Sequence, residues 1–349
     1  MPAATQIGIP TLVRIKPGAL PRSGLYLARA GRRHVLLLAS EGTPAAIEAA
    51  MRESLDAQAI EVVARREVGS ASVEEASALL PALPPRCDAI VGLGGGRALD
   101  TAKYLASLAR LPFLAVPTSL SNDGFCSPSA SLTVGGRRRS LPCAVPFGVV
   151  VDTDVCLRAP EVLWLSGVGD LVAKVTAVHD WKLAFHARGE PVDDFAALLS
   201  DATVFQFMAR PRRDLEGMRL LATALMLNGI SMEIAGSSRP ASGSEHLISH
   251  ALDQTSGRPR LHGLQVGTAA YVVSQLQGRE TDHLAAVLDA TGFWDAIRAD
   301  PFSLDEWLEA VRVAPEIKPG YYTVLSSRDC VSEVEAILRT DPRLKGCFA

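Results

Sequence analysis

Apolar and polar positions follow two different rhythms along the chain. From about residue 10 to 155, short β-branched runs alternate with helical stretches. RHVLLLAS (33–40) reads as a buried strand, TPAAIEAAMRESLDAQ (43–58) as a helix and AIEVVARREV (59–68) as the next strand. After an Ala-rich helix come CDAIVGLGGG (87–96), LDTAKYLASLARL (99–111) and PFLAVPT (112–118). Strand, helix, strand in this order predicts a mostly parallel sheet covered by helices on both faces. A hairpin is expected next, from ASLTV (130–134) through a Gly-Gly-Arg tip into a strand ending near VVVDTDV (149–155). Beyond Pro160 strand signals almost vanish. Amphipathic helical stretches cover 161–187, 192–209, 213–235, 243–255, 262–277, 281–291 and 328–339, each bounded by Gly, Pro or a capping residue. The pattern predicts an α/β domain over 1–158 and an all-α domain over 159–349, with no internal repeat.

Composition narrows the class. At 349 residues the chain suits two domains better than one, and 48% hydrophobic with 21% charged residues is globular. A formal net charge of -3 gives no electrostatic reason to expect nucleic acid or an anionic membrane as partner. The one basic run, Arg137-Arg138-Arg139, reads as a solvated hairpin tip. Cys87, Cys126, Cys143, Cys156, Cys330 and Cys347 are scattered without a Cys-x-x-Cys pair, the usage of a reducing cytosol. The N-terminal stretch lacks the basic start and apolar core of a signal peptide, and apolar runs are interrupted before spanning length. A cytoplasmic protein with no membrane insertion is expected.

Two loops and three helical segments carry candidate chemistry. Gly94-Gly95-Gly96 lies between a predicted strand and helix, where glycines admit a diphosphate and the helix start offers free N–H groups and a positive dipole. The third glycine of the ordinary dinucleotide fingerprint would fall at Arg97, and no Gly-Lys-Ser/Thr follows for a Walker loop. After the next strand comes Pro117-Thr118-Ser119-Leu120-Ser121-Asn122-Asp123-Gly124-Phe125-Cys126-Ser127-Pro128, crowded with hydroxyls, an amide and a carboxylate. In a parallel sheet, ligands gather at the carboxyl ends of the strands. In the helical half, Gly167-Val168-Gly169-Asp170 reads as an acid at a helix start, Gly243-Ser244-Glu245-His246 is followed by His250, and His262-Gly263 opens another helix. One carboxylate and two imidazoles suit zinc or a similar divalent ion with one coordination position left open. His246 and His250 are four apart and share a helix face, so spacing alone also allows that pair as ligands, with His262 a bystander.

Gly94-Gly95-Gly96 with Asp100 and Lys103 resembles the GGGxxxDxxK motif of iron-containing alcohol dehydrogenases, glycerol dehydrogenases, glycerol-1-phosphate dehydrogenases and dehydroquinate synthases. The Pro-Thr-x-x-Ser-Asn-Asp-Gly-x-x-Ser-Pro run is similar to the glycerol-1-phosphate dehydrogenase branch in particular. Gly-x-Gly-Asp, Gly-Ser-Glu-His-x-x-Ser-His-Ala-Leu-Asp and His-Gly-x-Gln-Val-Gly match that family in order and spacing. The resemblance spans about residues 90–270; the flanks 1–85 and 275–349 carry no family motif. It implies a dehydroquinate synthase-like fold that binds NAD(H) or NADP(H) through Gly94, Gly95, Gly96, Arg97, Ala98, Leu99 and Asp100, and through Thr118, Ser119, Leu120, Ser121 and Ser127. It further implies Asp170, His246 and His262 as ligands of one divalent ion, zinc first, with nickel or iron as alternatives. Asp123 would reach the substrate, Asp170 would touch it too, and His250 would lie beside it. Leu264 departs from the family, which usually has a polar residue there.

The implied reaction is metal-dependent reduction of dihydroxyacetone phosphate to sn-glycerol 1-phosphate, in a cleft between the two halves. His250 is the proton-shuttle candidate, because imidazole titrates near neutral pH and this one is not needed as a ligand. Glu41, just past the strand ending at Ser40, is placed to face the adenosine ribose and repel a 2′-phosphate, favouring NADH; as an alternative it caps the next helix. Competing readings are a same-branch dehydrogenase for another small polyol, hydroxy-phosphonate or alcohol, a dehydroquinate synthase-like cyclase, and a metal-binding relic without turnover. Partners expected are a small phosphorylated substrate and a second copy in a homo-oligomer.

Overall fold

The computed structural model describes residues 7–349; residues 1–6, the start of the stretch inspected for a leader, lie outside it. The chain divides after Ala159 into two units. In the first, β1 (Leu12–Lys16), α1 (Ser23–Arg29), β2 (His34–Ser40), α2 (Ala45–Asp56), β3 (Glu61–Val68), α3 (Val73–Leu79), β4 (Ala89–Gly94), α4 (Gly96–Ala109) and β5 (Phe113–Pro117) alternate. A hairpin of β6 (Ser129–Val134) and β7 (Arg137–Pro142) follows, then β8 (Gly148–Asp152) and α5 (Thr153–Arg158).

Six strands form one parallel sheet in the order β1-β8-β5-β4-β2-β3. The strands β4, β5 and β8 are buried at every residue, as befits a parallel sheet covered on both faces. Progression from β2 to β3 runs towards one edge, whereas β4 and β5 lie on the other side of β2. The order therefore reverses between β2 and β4, and the carboxyl ends of those two strands flank the crevice where such sheets bind ligands. Ser40 ends β2 and Gly94 ends β4. The apolar cluster beneath them joins Leu27, Leu37, Met51 and Leu55 to Val91, Leu93, Val116 and Val150.

The hairpin differs from the expectation. Its second strand is β7, which stops at Pro142, and the VVVDTDV stretch belongs to a separate strand, β8, that returns to the parallel sheet. Pro146 has no N–H to give a ladder and lies in the link between them. The tip is Gly135-Gly136, both at positive φ, and the three arginines are solvent-exposed on β7 rather than at the tip. The five-residue β1 had no clear signal in the sequence.

The second unit is helical: α6 (Glu161–Arg188), α7 (Asp194–Met208), α8 (Leu215–Ala235), α9 (Ser244–Thr255), α10 (His262–Gln277), α11 (Thr281–Ala290), α12 (Phe293–Ala299), α13 (Leu304–Ile317), α14 (Val324–Ser327) and α15 (Val331–Thr340). Three of these, α12 to α14, were not anticipated, because Pro301, Pro315 and Gly320 interrupt the pattern there. The helices α6 and α8 are long and apolar enough to cross a membrane, but 83% and 61% of their apolar windows are buried inside the protein. They are core helices, and α6 is the one against which α7, α8, α9 and α10 pack.

Candidate metal centre and cofactor loop

Glycines set the spacing of the helices that carry the candidate ligands. A Cβ on Gly169 would sit 2.0 Å from the Gly263 carbonyl oxygen, and one on Gly263 would sit 1.7 Å from that of Ser166. Gly267 closes the same seam, with a Cβ position 2.6 Å from the Gly169 Cα. Bare backbone at these positions lets α6 and the start of α10 touch, and Gly263 N–H donates to Ser166 Oγ at 3.2 Å. The contact brings Asp170, in the middle of α6 and not at a helix start as its motif suggested, beside His262, the first residue of α10. A third segment is pinned by Asp180, whose carboxylate accepts the Ser244 N–H at 2.7 Å and the Val324 N–H at 2.8 Å. That bond fixes the first turn of α9, where His246 stands.

Asp170 Oδ1 lies 3.6 Å from His246 Nε2 and 3.7 Å from His262 Nε2. Ligand atoms of these three residues all fall within 4.8 Å of one another, a grouping that no other described set of His, Cys, Asp or Glu matches. Two atoms each about 2.1 Å from one zinc ion in a tetrahedron lie roughly 3.4 Å apart, close to the spacings here. Both Nδ1 atoms are otherwise engaged. His246 Nδ1 is 2.8 Å from Glu245 Oε1, and His262 Nδ1 is 3.2 Å from Ser249 Oγ, which donates to Gln265 Oε1 at 3.1 Å. In the neutral ring each Nε2 is thereby left facing Asp170 as a lone pair, the usual outer-shell arrangement of ligating histidines. The three residues fit a divalent ion. His250, in contrast, is outside the grouping: its ring centroid lies 6.3 Å from that of His246 and 6.0 Å from that of His262.

Charges around the group are balanced within the protein. Lys174, fully buried one turn after Asp170, places its ammonium 3.1 Å from Asp170 Oδ1 and 3.3 Å from the Ala241 carbonyl. Burial alone would raise the Asp170 pKa, but Lys174 and the two histidines hold the carboxyl below its usual range. Burial likewise works against a charged His246, yet the Asp170 and Glu245 carboxylates outweigh it and raise that pKa. Desolvation and the neighbouring His246 push His262 well below its usual value, so it is neutral and ready to ligate. Glu245 also accepts Gly243 N–H at 2.6 Å and Thr176 Oγ1 at 2.9 Å, tying α9 to α6. Glu245 lies within a motif named above without a role, and Lys174 lies just beyond another. The four-residue step from Asp170 to Lys174 on one helix face was the available signal.

Asp180 yields a prediction for stability against pH. Burial, reinforced by the Glu245 carboxylate, pushes its pKa up to about 6. A carboxyl whose folded pKa is raised stabilises the fold fully below its unfolded value of about 4 and loses that contribution as pH rises through the folded value. The stability of the wild type minus that of Asp180→Asn should therefore fall by about 2 kcal/mol between pH 4 and pH 7 in denaturant titrations. A difference constant with pH would show that the carboxyl is not held protonated.

In the first unit, the glycine loop is built to stay open. Gly94 has φ 136°, a conformation that side chains rarely adopt, and a Cβ there would meet Ser40 Oγ at 2.3 Å. Ser40 Oγ accepts Gly95 N–H at 3.0 Å, fixing the loop against the end of β2. Nothing lies within 4 Å of a Cβ on Gly95 or Gly96, and no side chain caps α4 at Gly95. An open space at an uncapped helix start suits a diphosphate. The Ala98, Leu99 and Asp100 side chains point inward. Burial raises the Asp100 pKa against the pull of Lys103, 3.6 Å away. Lys103 in turn donates to the carbonyls of Gly124 and Ser129 and to Ser127 Oγ, so the Lys of the motif holds the second polar loop, with the Asp beside its ammonium. Leu120 and Ser127 are buried in that loop, while Thr118, Ser119, Ser121 and Asp123 are partly exposed. Thr118 N–H donates to the Gly94 carbonyl at 3.1 Å, joining the two loops. Glu41 does not cap α2, whose N-cap is Pro44; it lies at the end of β2 with Oε2 3.2 Å from a Cβ position on Gly69. Leu264 is buried in the first turn of α10.

Comparison with known proteins gives the family and the fold. The family model for iron-containing alcohol dehydrogenase matches residues 14–160. The glycerol-1-phosphate dehydrogenase [NAD(P)+] of Aeropyrum pernix is 35% identical over 344 residues, covering 96% of this chain and 97% of its own. That of Korarchaeum cryptofilum is 37% identical, covering 74% of this chain and 86% of its own. Among solved structures, a probable glycerol dehydrogenase from Sinorhizobium meliloti superposes with a TM-score of 0.73 at 19% identity, covering 96% of this chain and 99% of its own. An iron-containing alcohol dehydrogenase from Thermotoga maritima superposes with a TM-score of 0.68 at 18% identity, covering 95% of this chain and 99% of its own. The parallel sheet and the helical unit are thus those of the iron-containing alcohol dehydrogenase fold, and the chain belongs to the glycerol-1-phosphate dehydrogenase family.

Proposed function

We propose that the protein reduces dihydroxyacetone phosphate to sn-glycerol 1-phosphate with NAD(P)H, reversibly, using a divalent ion held by Asp170, His246 and His262. The observation that carries this reading is the convergence of Asp170 Oδ1 and two Nε2 atoms, each imidazole fixed from behind, in a chain related to glycerol-1-phosphate dehydrogenases along nearly its whole length. A bound divalent ion supplies Lewis acidity towards a carbonyl oxygen, zinc being the best match to one carboxylate and two imidazoles. The nicotinamide cofactor supplies the hydride. Gly95 and Gly96 leave room for its diphosphate at the start of α4, and Ser40 keeps that loop in place. The aspartate and the two histidines would hold that ion, and Glu245 and Ser249 keep the imidazoles in the ligating tautomer. Six free thiols, most of them buried, support a reducing cytoplasmic setting. Comparing kcat/KM for dihydroxyacetone phosphate with that for unphosphorylated dihydroxyacetone tests the substrate assignment. A preference for the unphosphorylated ketone would move the protein to the polyol alternative.

His250 is the group proposed to give the proton. It stands one turn beyond His246 with its ring near both ligating imidazoles but outside the ligand set. His250→Gln should keep stoichiometric metal and lower kcat by roughly 10²–10⁴-fold, the range of general acid–base catalysis. Loss of metal from this variant would make His250 a ligand.

Glu41 is proposed to set the nucleotide preference. It follows the end of β2 with its carboxylate against Gly69, just past β3; the adenosine ribose is expected near that strand end, where the carboxylate would repel a 2′-phosphate. Wild type should favour NADH, and Glu41→Ala should shift the NADPH-to-NADH ratio of kcat/KM upward by roughly tenfold, equivalent to about 1.4 kcal/mol. An unchanged ratio would remove Glu41 from the cofactor site.

A further inference from the structure

The α7 helix exposes an apolar seam that the fold leaves uncovered. Phe195, Leu198 and Phe205 are 62%, 64% and 42% exposed, and Ala202 and Ala209 are exposed on the same face. Their spacing is three, four, three, four, the a/d repeat by which one helix packs along another. The opposite face of α7 is also apolar and is used up inside the unit, where Ala196, Ala197, Val204 and Phe207 are buried and the helix packs on α6 and α8. A helix apolar all round belongs in an interior, so the outward seam calls for a second covering surface.

We propose that this seam is the interface of a two-fold symmetric homodimer in which the α7 helices of two copies pack antiparallel, crossing at Ala202. Three observations select a second copy. The seam is nearly symmetric about Ala202, with Leu198 and Phe205 four and three residues to either side and Phe195 and Ala209 seven, and the small central residue permits close approach. The ends carry opposite charge: Asp193 and Asp194 at the start, Arg210 and Arg212 just past the end. Antiparallel pairing sets each acidic end against the partner's basic end, whereas parallel pairing would oppose like charges. Phe185 near the end of α6 and Leu215 at the start of α8, on the two helices that pack against α7, are exposed as well and are available to enlarge the apolar area towards the roughly 800 Å² per partner that a stable interface takes. A two-fold axis makes every such contact twice.

Sedimentation equilibrium of the full chain over a wide concentration range tests this. The wild type should give at least twice the 37.0 kDa chain mass. Leu198→Glu should halve the assembled mass, raising the dimer dissociation constant on the order of 100-fold, while keeping its thermal midpoint and metal content. Asp194→Arg and Arg210→Asp should each weaken the dimer, and the two together in one chain should restore it. In addition, Ala202→Cys should cross-link to its counterpart on mild oxidation, with the wild-type chain as background. Phe195→Cys should not, because in the antiparallel pair it lies about 20 Å from its counterpart, beyond disulfide reach. A wild type that stays monomeric, or that binds neutral phosphatidylcholine vesicles as a monomer, would overturn the proposal. So would an assembly indifferent to Leu198→Glu, or a double charge exchange that fails to restore pairing.

Discussion

Replacing His262 with alanine should abolish the stoichiometric metal and lower kcat/KM for dihydroxyacetone phosphate by roughly 10³-fold or more, the several kcal/mol that a Lewis-acid ion contributes. Asp170→Asn should do the same, and both variants should bind NADH as the wild type does, because the glycine loop belongs to the other unit. The expectation rests on geometry: His262 offers one of two Nε2 atoms facing Asp170 Oδ1, and Ser249 holds its other nitrogen. Metal analysis together with nucleotide titration separates this outcome from global unfolding. If His262→Ala retained its metal while His250→Gln lost it, the two helix-sharing histidines would be the ligands instead.

The other large effect comes from a residue with no functional group. Gly263→Ala places a methyl 1.7 Å from the Ser166 carbonyl oxygen and 2.5 Å from its carbon. Two backbones are in contact there, so no side chain can swing aside, and α6 and α10 must separate. Overpacking of this kind costs about 3 kcal/mol, which for a helical unit of this size lowers Tm by roughly 6–12 °C. The separation also pulls His262 from Asp170, so the variant should bind metal much more weakly even where it remains folded. Calorimetry with chelator competition reads both effects. An unchanged Tm and metal affinity would mean that glycine contact does not assemble the centre.

Much of this was legible in the residues. The buried β2, β4 and β5 were continuous apolar runs with turn residues at each end, and α6 and α10 were long uninterrupted helices, so their limits could be read closely. The ligand set was not fixed by spacing. His246 and His250 share a helix face, and only the approach of α10 to α6, dictated by Gly169, Gly263 and Gly267, shows which two imidazoles face the aspartate. Proximity between segments some 75 to 90 positions apart leaves no local trace. The same holds for Glu245, whose backing role depends on where Thr176 and Gly243 fall around it. Proline and glycine hid the short helices: α13 continues through Pro315, a residue that ordinarily ends a helix. The segment 192–209 read as amphipathic, but α7 is apolar on both faces, and only a three-dimensional arrangement distinguishes the buried face from the exposed one.

The most direct test of the central assignment is the chirality of the product. Metal-loaded protein mixed with NADH and dihydroxyacetone phosphate should consume one cofactor per ketone and yield glycerol phosphate of the sn-1 configuration, which an enantiospecific sn-glycerol 3-phosphate assay does not detect. Stripping the metal should stop consumption, and restoring a divalent ion should return it. Formation of sn-glycerol 3-phosphate, or the absence of cofactor oxidation by fully loaded protein, would contradict the account.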